Sequence, residues 1–318
     1  MDKRFTVGID IGGQSSKIGV VSEDAEIIAR GVLDMKGFGP DDAPLFLDSL
    51  CEEVSDLVSK VGLEEIKGIG VGAPNGNYYT GTIEFAPNLP WAKDKAVHLS
   101  DGISRRLGLP VTVTNDANAA ALGEMTYGAA RGMKDFIEIT LGTGVGSGIV
   151  VDGKLVYGHD GFAGELGHVT AVRGGRRCGC GRNGCLEAYA SATGVARTAK
   201  EWLEDESRET VLRGIDIEKI TSKDVYDAAI NGDSMAVRIF EYTGRILGEC
   251  FANFVAFSAP EAIIIFGGLM EAGDLLLKPI QEAFNENVLL LWKDKVKIMR
   301  SGLNASDAAI LGASALAW

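Results

Sequence analysis

Two stretches of the chain match without a gap at a constant offset. Ile9, Ile11, Gly12 and Val20 align on Ile139, Leu141, Gly142 and Val150, each 130 residues further on. Both stretches read as a strand, a glycine-rich turn and a second strand. A duplicated α/β unit would set two such turns facing each other across a cleft, which is a natural clamp for a polyphosphate. Around the repeat, further strands are expected at 68–72, 111–114 and 261–266. Helical periodicity covers 44–61, 99–107, 116–127, the segment from Leu186 onward and 306–318. Strands alternating with helices indicate an α/β protein. The length, 318 residues, suits two domains better than one.

Composition narrows the function classes. The net charge is −13, which argues against a nucleic-acid backbone and against an anionic membrane surface. No apolar run approaches the roughly 18 to 20 residues of a membrane span. The first ten residues are too short an apolar stretch for an export signal, because Asp10 interrupts them. A reducing cytoplasm is therefore expected. The charged stretch 201–224 reads as a solvated face. There are five cysteines. Cys250 falls on a stripe with Ala236, Ile239, Phe240, Thr243, Leu247, Phe251 and Phe254, spaced as one buried helix face. Cys250 and the isolated Cys51 read as core.

Four segments carry chemistry. In Asp10-Ile-Gly-Gly-Gln-Ser-Ser-Lys17, Gly12 and Gly13 permit a tight turn and a close backbone approach. The backbone N–H groups and the hydroxyls of Ser15 and Ser16 could donate to phosphate oxygens, and Asp10 could hold Mg²⁺ through water. An ordinary hairpin would look similar. In Leu141-Gly-Thr-Gly-Val-Gly-Ser-Gly148, glycines alternate between two strands. Such density marks close backbone approach, and two such turns together favour phosphate binding. Asn115-Asp116 ends a strand and opens a helix, so Asp116 reads equally as an N-cap or as a general base at the carboxyl end of a strand. The fourth segment is the most specific. His168, Cys178, Cys180 and Cys185 form a Cys₃His set with the tight spacing of a closed structural Zn²⁺ site. The same glycine-rich loop carries Glu165 and Glu187, carboxylates suited to bidentate contact with sugar hydroxyls.

Taken together, these segments resemble the ROK family of bacterial sugar kinases, within the hexokinase/actin-like ATPase superfamily, and within it the ATP-dependent glucokinases most of all. The resemblance spans essentially the whole chain. Asp10-Ile-Gly-Gly with Lys17 is similar to the first phosphate loop and Leu141–Gly148 to the second. Asn115-Asp116-Ala-Asn118 resembles the catalytic segment. Glu165-Leu-Gly-His168 resembles the ExGH sugar motif, and Cys178 to Glu187 the CxCGxxGCxE zinc motif.

The resemblance implies an α/β, ribonuclease H-like fold of two domains with a cleft between them. Residues 1–115 plus 303–318 would form the smaller domain and 116–302 the larger, with the zinc loop. It implies ATP-dependent phosphorylation of a hexose 6-hydroxyl, glucose foremost. Asp116 would take the hydroxyl proton. Asn88, in Ala86-Pro-Asn-Leu-Pro-Trp91, and Asn115 would bind other hydroxyls, and Glu165, His168 and Glu187 those around C1 to C3. His168 would use one ring nitrogen for zinc and the other for sugar. ATP would meet Asp10, Gly12, Gly13, Gln14, Ser15, Ser16, Lys17, Gly142, Thr143 and Gly144. Gly267 and Gly268 would pass close to the adenosine, and Mg²⁺ would bridge the phosphates. The zinc is structural in this reading. The family also implies a homodimer or a tetramer.

Two departures, one retained feature that discriminates between sugars, and three alternatives accompany this reading. Gln14 stands where the family commonly has Thr. The turn Pro74-Asn75-Gly76-Asn77-Tyr78-Tyr79 differs from the common form near the sugar. Three cysteines are kept where family fructokinases tend to replace one with His, which favours glucose or an N-acetylhexosamine. The runner-up is an N-acetylmannosamine or N-acetylglucosamine kinase. Polyphosphate in place of ATP stays open. A sugar-responsive transcriptional repressor is disfavoured, because no helix-turn-helix fits ahead of Asp10 and the chain is acidic.

Overall fold

The structure is a computed structural model that describes residues 4–205, 209–304 and 306–318. Residues 206–208, part of the charged stretch 201–224, and residues 1–3 of the N-terminal stretch lie outside the described residues. The chain divides into two compact units. The first holds the residues up to Met133 together with Gly148–Gly164 and Ser301–Trp318; the second holds Lys134–Ser147 and Glu165–Arg300.

In chain order, the elements up to Met133 are β1 (Phe5–Ile11), β2 (Ser15–Ser22), β3 (Ile27–Asp34), α1 (Ala43–Val58), β4 (Ile66–Gly72), β5 (Gly76–Asn77), β6 (Thr82–Glu84), β7 (Ala96–His98), α2 (Leu99–Leu107), β8 (Val111–Thr114) and α3 (Asp116–Thr126). There follow β9 (Phe136–Leu141), β10 (Val145–Val151), β11 (Lys154–Leu155), α4 (Glu187–Ala190), α5 (Ala192–Leu203), α6 (Ser222–Ile230), α7 (Ser234–Ser258), β12 (Ala262–Phe266), α8 (Asp274–Asn287), β13 (Lys297–Arg300) and α9 (Ala308–Ala315).

The repeat extends far beyond its four matching residues. Of three sheets, one runs β3-β2-β1-β4-β8 and a second β11-β10-β9-β12-β13, the same order strand for strand; the third is the small sheet β5-β6-β7. In the first, β1 pairs antiparallel with β2 and parallel with β4, which pairs parallel with β8. In the second, β12 pairs parallel with both β9 and β13, and β10 pairs antiparallel with β11. β3 and β13 were not anticipated: β3 is an edge strand whose burial is partial and irregular, and β13 is short.

The first sheet has two unlike faces, and the period of a strand accounts for both. Val7, Ile9 and Ile11 of β1, Ile18 and Val20 of β2, and Ile69 and Val71 of β4 point one way, into a core shared with Phe46, Leu50 and Val54 of α1. On the opposite face Gly19, Gly8 and Gly70 form a row, since Gly8 pairs with both others. Helix α9 lies directly on that row. A Cβ added to Gly8 would sit 2.1 Å from the Ile310 carbonyl oxygen, and one on Gly70 would sit 1.9 Å from that of Ala313. Any side chain there would displace the helix. The second unit centres on α7, whose Asp233 N-cap accepts from the backbone N–H of Met235 and Ala236 at 3.0 and 2.9 Å. The stripe of Ala236, Ile239, Phe240, Thr243, Leu247, Cys250, Phe251 and Phe254 is buried along it. Cys51 is likewise buried.

Candidate active site

In the first unit the carboxyl ends of three strands come level. Asp10 of β1 pairs with Gly72 of β4, and Gly72 pairs with Thr114 of β8. Asp116 follows two residues later, so two carboxylates are delivered to one edge of the sheet, where α/β proteins place ligands. The N-cap of α3 is Asn115, whose Oδ1 accepts from Asn118 N–H at 2.7 Å. Asp116 is the first helical residue, and its Oδ1 accepts its neighbour's N–H, from Ala117 at 2.9 Å. Capping and proton acceptance are thereby divided between two residues, and the Asp116 carboxylate stays accessible. Desolvation by the surrounding protein nevertheless holds its carboxyl above the ordinary range. Asp10 is pushed up to about 6, first by burial and then by Asp116, with Lys17 opposing. A pair of carboxylates that raises its own proton affinity in this way suits a bound cation.

The first glycine turn connects β1 to β2 and is closed by Gly12 N–H donating to the Ser15 carbonyl at 3.0 Å. Gly13, Gln14 and Lys17 are exposed and Ser15 is half-buried. Ser16 points away from this group. It pairs with Ile11 on the apolar face, and its hydroxyl donates to Met35 Sδ at 3.3 Å. The two-residue period that buries Ile18 and Val20 also buries Ser16, so its hydroxyl is turned into the core. Asn88 sits close to the turn: a Cβ on Gly13 would lie 3.2 Å from its carbonyl oxygen. Leu89 and Trp91 anchor the Asn88 segment in the core, with the Trp91 indole stacked on Phe46 at 4.3 Å.

In the second unit, the other glycine turn is closed by Gly142 N–H donating to the Gly144 carbonyl at 3.0 Å. Helix α5 steadies it: Ala192 N–H donates to the Gly142 carbonyl at 2.8 Å, and Thr193 Oγ1 to that of Thr143 at 3.0 Å. Gly267 has φ of 111°, and a Cβ there would lie 2.4 Å from the Leu141 carbonyl oxygen. Only glycine lets the segment after β12 run this close to the end of β9. The two segments open onto a cavity of about 600 Å³ lined by Gly142, Thr143, Tyr226, Gly268 and Leu269 among others. That volume suits a small-molecule ligand. Tyr226 escaped sequence reasoning because it lies on α6, away from any glycine motif.

His168, Cys178, Cys180 and Cys185 converge in the second unit. Their ligand atoms all lie within 4.8 Å of one another. Cys180 and Cys185 sulfurs are 3.7 Å apart, and Cys178 Sγ is 3.8 Å from His168 Nδ1. Tetrahedral thiolates at a Zn–S distance of about 2.3 Å stand roughly 3.8 Å apart, so the donor set fits that ion. Nδ1 faces the thiols, while Nε2 faces Glu165 Oε2 at 3.9 Å. The loop itself is pinned by Arg176, whose side chain is 7% exposed. Its guanidinium donates to Glu201 at 2.6 Å and to Thr198 Oγ1 at 2.9 Å, and lies 4.5 Å from the centre of the Tyr189 ring. Glu187 is shared: Oε2 accepts from Val145 N–H at 3.1 Å, and Oε1 from Cys178 Sγ at 3.6 Å.

The first unit thus carries Asp10, the first turn, Asn88, Asn115 and Asp116. The second carries the other turn, Gly267, Gly268, Glu165, His168, Glu187 and the thiol cluster. Among the described residues no helix is long and apolar enough to cross a membrane. The chain is 38% identical to a glucokinase of Halalkalibacterium halodurans, covering 98% of this chain and 94% of that one. It is 35% identical to a glucokinase of Thermotoga maritima, covering 99% and 98%. The crystal structure of a ROK family glucokinase from Streptomyces griseus, in complex with glucose and AMPPNP, superposes with a TM-score of 0.79 at 35% identity over 98% of both chains. The ROK family profile matches residues 6–318. With its α/β architecture and two sheets of one topology, the chain belongs to the ROK family.

Proposed function

We propose that this chain is an ATP-dependent hexose kinase that phosphorylates the 6-hydroxyl of glucose. The observation that carries this reading is Asp116: an accessible carboxylate at the carboxyl end of β8, released from capping by Asn115. Glucokinase relatives of similar length support glucose as the sugar.

Magnesium–ATP binds as a substrate, its phosphates against the N–H groups of the two glycine turns, with Asp10 and Lys17 beside the first. Its adenosine takes the cavity at Gly268 and Tyr226. Glucose is held by Asn88, Asn115, Glu165, His168 and Glu187. Asp116 accepts the 6-hydroxyl proton as O6 bonds to the γ-phosphorus, the bond to the β-bridging oxygen breaks, and ADP leaves. Its raised proton affinity suits a base working near neutral pH. The Cys₃His set would hold Zn²⁺, which when bound would supply a fixed anchor for the His168 ring. With four protein donors converging there, the site would serve a structural role. All five cysteines are unpaired thiols, in keeping with a reducing cytoplasm.

The test is ADP release, coupled to an optical readout, with glucose, mannose, fructose and the two N-acetylhexosamines, and with ATP or polyphosphate as donor. Glucose with ATP is expected to give the highest kcat/KM. A large preference for an N-acetylated sugar would overturn the choice of glucose.

A further inference from the structure

Glu187 meets the second glycine turn directly, at Val145 N–H. The two are joined a second time through a pair of hydroxyls that lies outside every sequence motif above. Ser191 is fully buried and caps α5, its Oγ accepting from Gly194 N–H at 3.0 Å. The same oxygen stands 2.7 Å from the Glu187 carbonyl oxygen and 2.9 Å from Thr193 Oγ1. Thr193 Oγ1 in turn stands 3.0 Å from the carbonyl oxygen of Thr143. The pair thus forms a line from the backbone of Glu187 to the backbone of the glycine turn, and all of it lies in the second unit.

Each hydroxyl carries one proton, so two protons cannot serve all three contacts at once. If Ser191 donates to Thr193, then Thr193 donates to Thr143 and the line is continuous, each bond polarising the next. The Glu187 carbonyl then keeps the Ser191 N–H at 3.3 Å. If Ser191 donates to Glu187 and Thr193 donates to Ser191, the Thr143 carbonyl loses its hydroxyl partner and the turn is held less firmly. The frame around the pair is fixed. The Arg176 guanidinium donates to the carbonyls of Ala188 at 3.1 Å and Gly194 at 3.4 Å, tying α4 to the first turn of α5. Ala192 N–H holds the Gly142 carbonyl at 2.8 Å in either arrangement. The hydroxyl protons are the adjustable part.

We propose that Ser191 and Thr193 are positioning residues that couple the sugar and nucleotide subsites of this unit. Glu187 Oε2 accepts from Val145 N–H, so a sugar that fixes the Glu187 side chain also keeps the turn within reach of Thr193. A phosphate on the N–H groups of the turn keeps it there from the other side. Both ligands favour the continuous line, and each therefore tightens the other by the same factor. The proposal rests on the assignment of glucose to Glu187 and of phosphate to the 142–144 turn.

Thr193→Val keeps the shape of the side chain and removes the hydroxyl, whereas Thr193→Ser keeps the hydroxyl. Calorimetry with AMPPNP, with and without saturating glucose, reads the coupling directly. Glucose is expected to tighten AMPPNP about tenfold or more in wild type and in Thr193→Ser, and less than about threefold in Thr193→Val. Glucose affinity without nucleotide should stay within about twofold in both variants, because no sugar contact is removed. A merely structural loss would weaken both ligands and leave their mutual effect intact. Coupling undiminished in Thr193→Val, equally lost in Thr193→Ser, absent from wild type, or lost together with glucose affinity itself would each overturn the proposal. If the wild-type chain binds no hexose, the functional reading fails instead. Amide hydrogen exchange at 143–145 with AMPPNP bound then decides: it should be faster in Thr193→Val than in wild type, and equal exchange would overturn the role of the hydroxyl pair.

Discussion

Glu187 places one carboxylate oxygen 3.6 Å from Cys178 Sγ and the other 3.1 Å from Val145 N. One side chain thereby couples the thiol cluster to the second glycine turn. A Cβ on Gly144 would come within 2.5 Å of the same carboxylate, so the turn has room for Glu187 only because residue 144 is glycine. Losing the charge while keeping the shape should weaken sugar binding selectively. Glu187→Gln is expected to raise the KM for glucose by about tenfold or more, the scale of one hydrogen bond to a charged group. Metal content should be unchanged, and steady-state kinetics beside metal analysis checks both.

Asp116→Asn keeps the size of the side chain and removes the proton acceptor. Turnover should fall by roughly two to four orders of magnitude, the usual worth of a positioned base. Glucose affinity, followed by intrinsic fluorescence, should change little because the Asn115 cap is untouched. Near-wild-type turnover would refute the assignment of the base.

Asp10 makes a prediction about pH. Its carboxyl titrates at about 6 in the folded chain against an ordinary value near 3.8. Between those values the folded state holds a proton that the unfolded state has released. Stability therefore falls as pH rises from about 4 to 6, by at most about 3 kcal/mol from this group, and stays lowered above. Asp10→Asn removes that cost. Urea unfolding should show the variant more stable than wild type at pH 7.5 and little different at pH 4, while its ATP turnover is lost. An equal difference at both pH values would rule out Asp10 as the titrating group.

Cys180 is the exposed member of the thiol cluster. Cys180→Ala should lose the bound zinc, raise the glucose KM through the freed His168 ring, and lower the melting temperature. Elemental analysis of the wild-type protein should give one zinc per chain; protein free of zinc that still phosphorylates glucose at full rate would count against the site.

Much of this was legible in the sequence for identifiable reasons. The Cys₃His set was readable because its donors crowd into a short loop. The duplicated sheets were signalled by two matching turns, since a strand that ends in a tight turn needs glycine in the same places twice. Ser16 could have been placed in the core from the alternation that buries Ile18 and Val20, but the adjacent hydroxyls of Ser15 and Ser16 suggested a shared role. The division between Asn115 and Asp116 was hidden, because either residue type can cap a helix. The bond from Thr193 to Thr143 had no local signal at all: the two meet only once distant segments have folded together.

The glycine row beneath α9 bears on how the chain is made. β1, β2 and β4 leave the ribosome long before Ala308–Ala315, so one face of their sheet waits uncovered through most of synthesis. On that face β1 presents Thr6, Gly8 and Asp10, and β4 presents Gly68, Gly70 and Gly72. The β1 and β4 part of the waiting surface is backbone and polar atoms, and its apolar part comes from β2, where Val21 later packs on Ile310 and Leu311, while the opposite, more apolar face is covered early by α1.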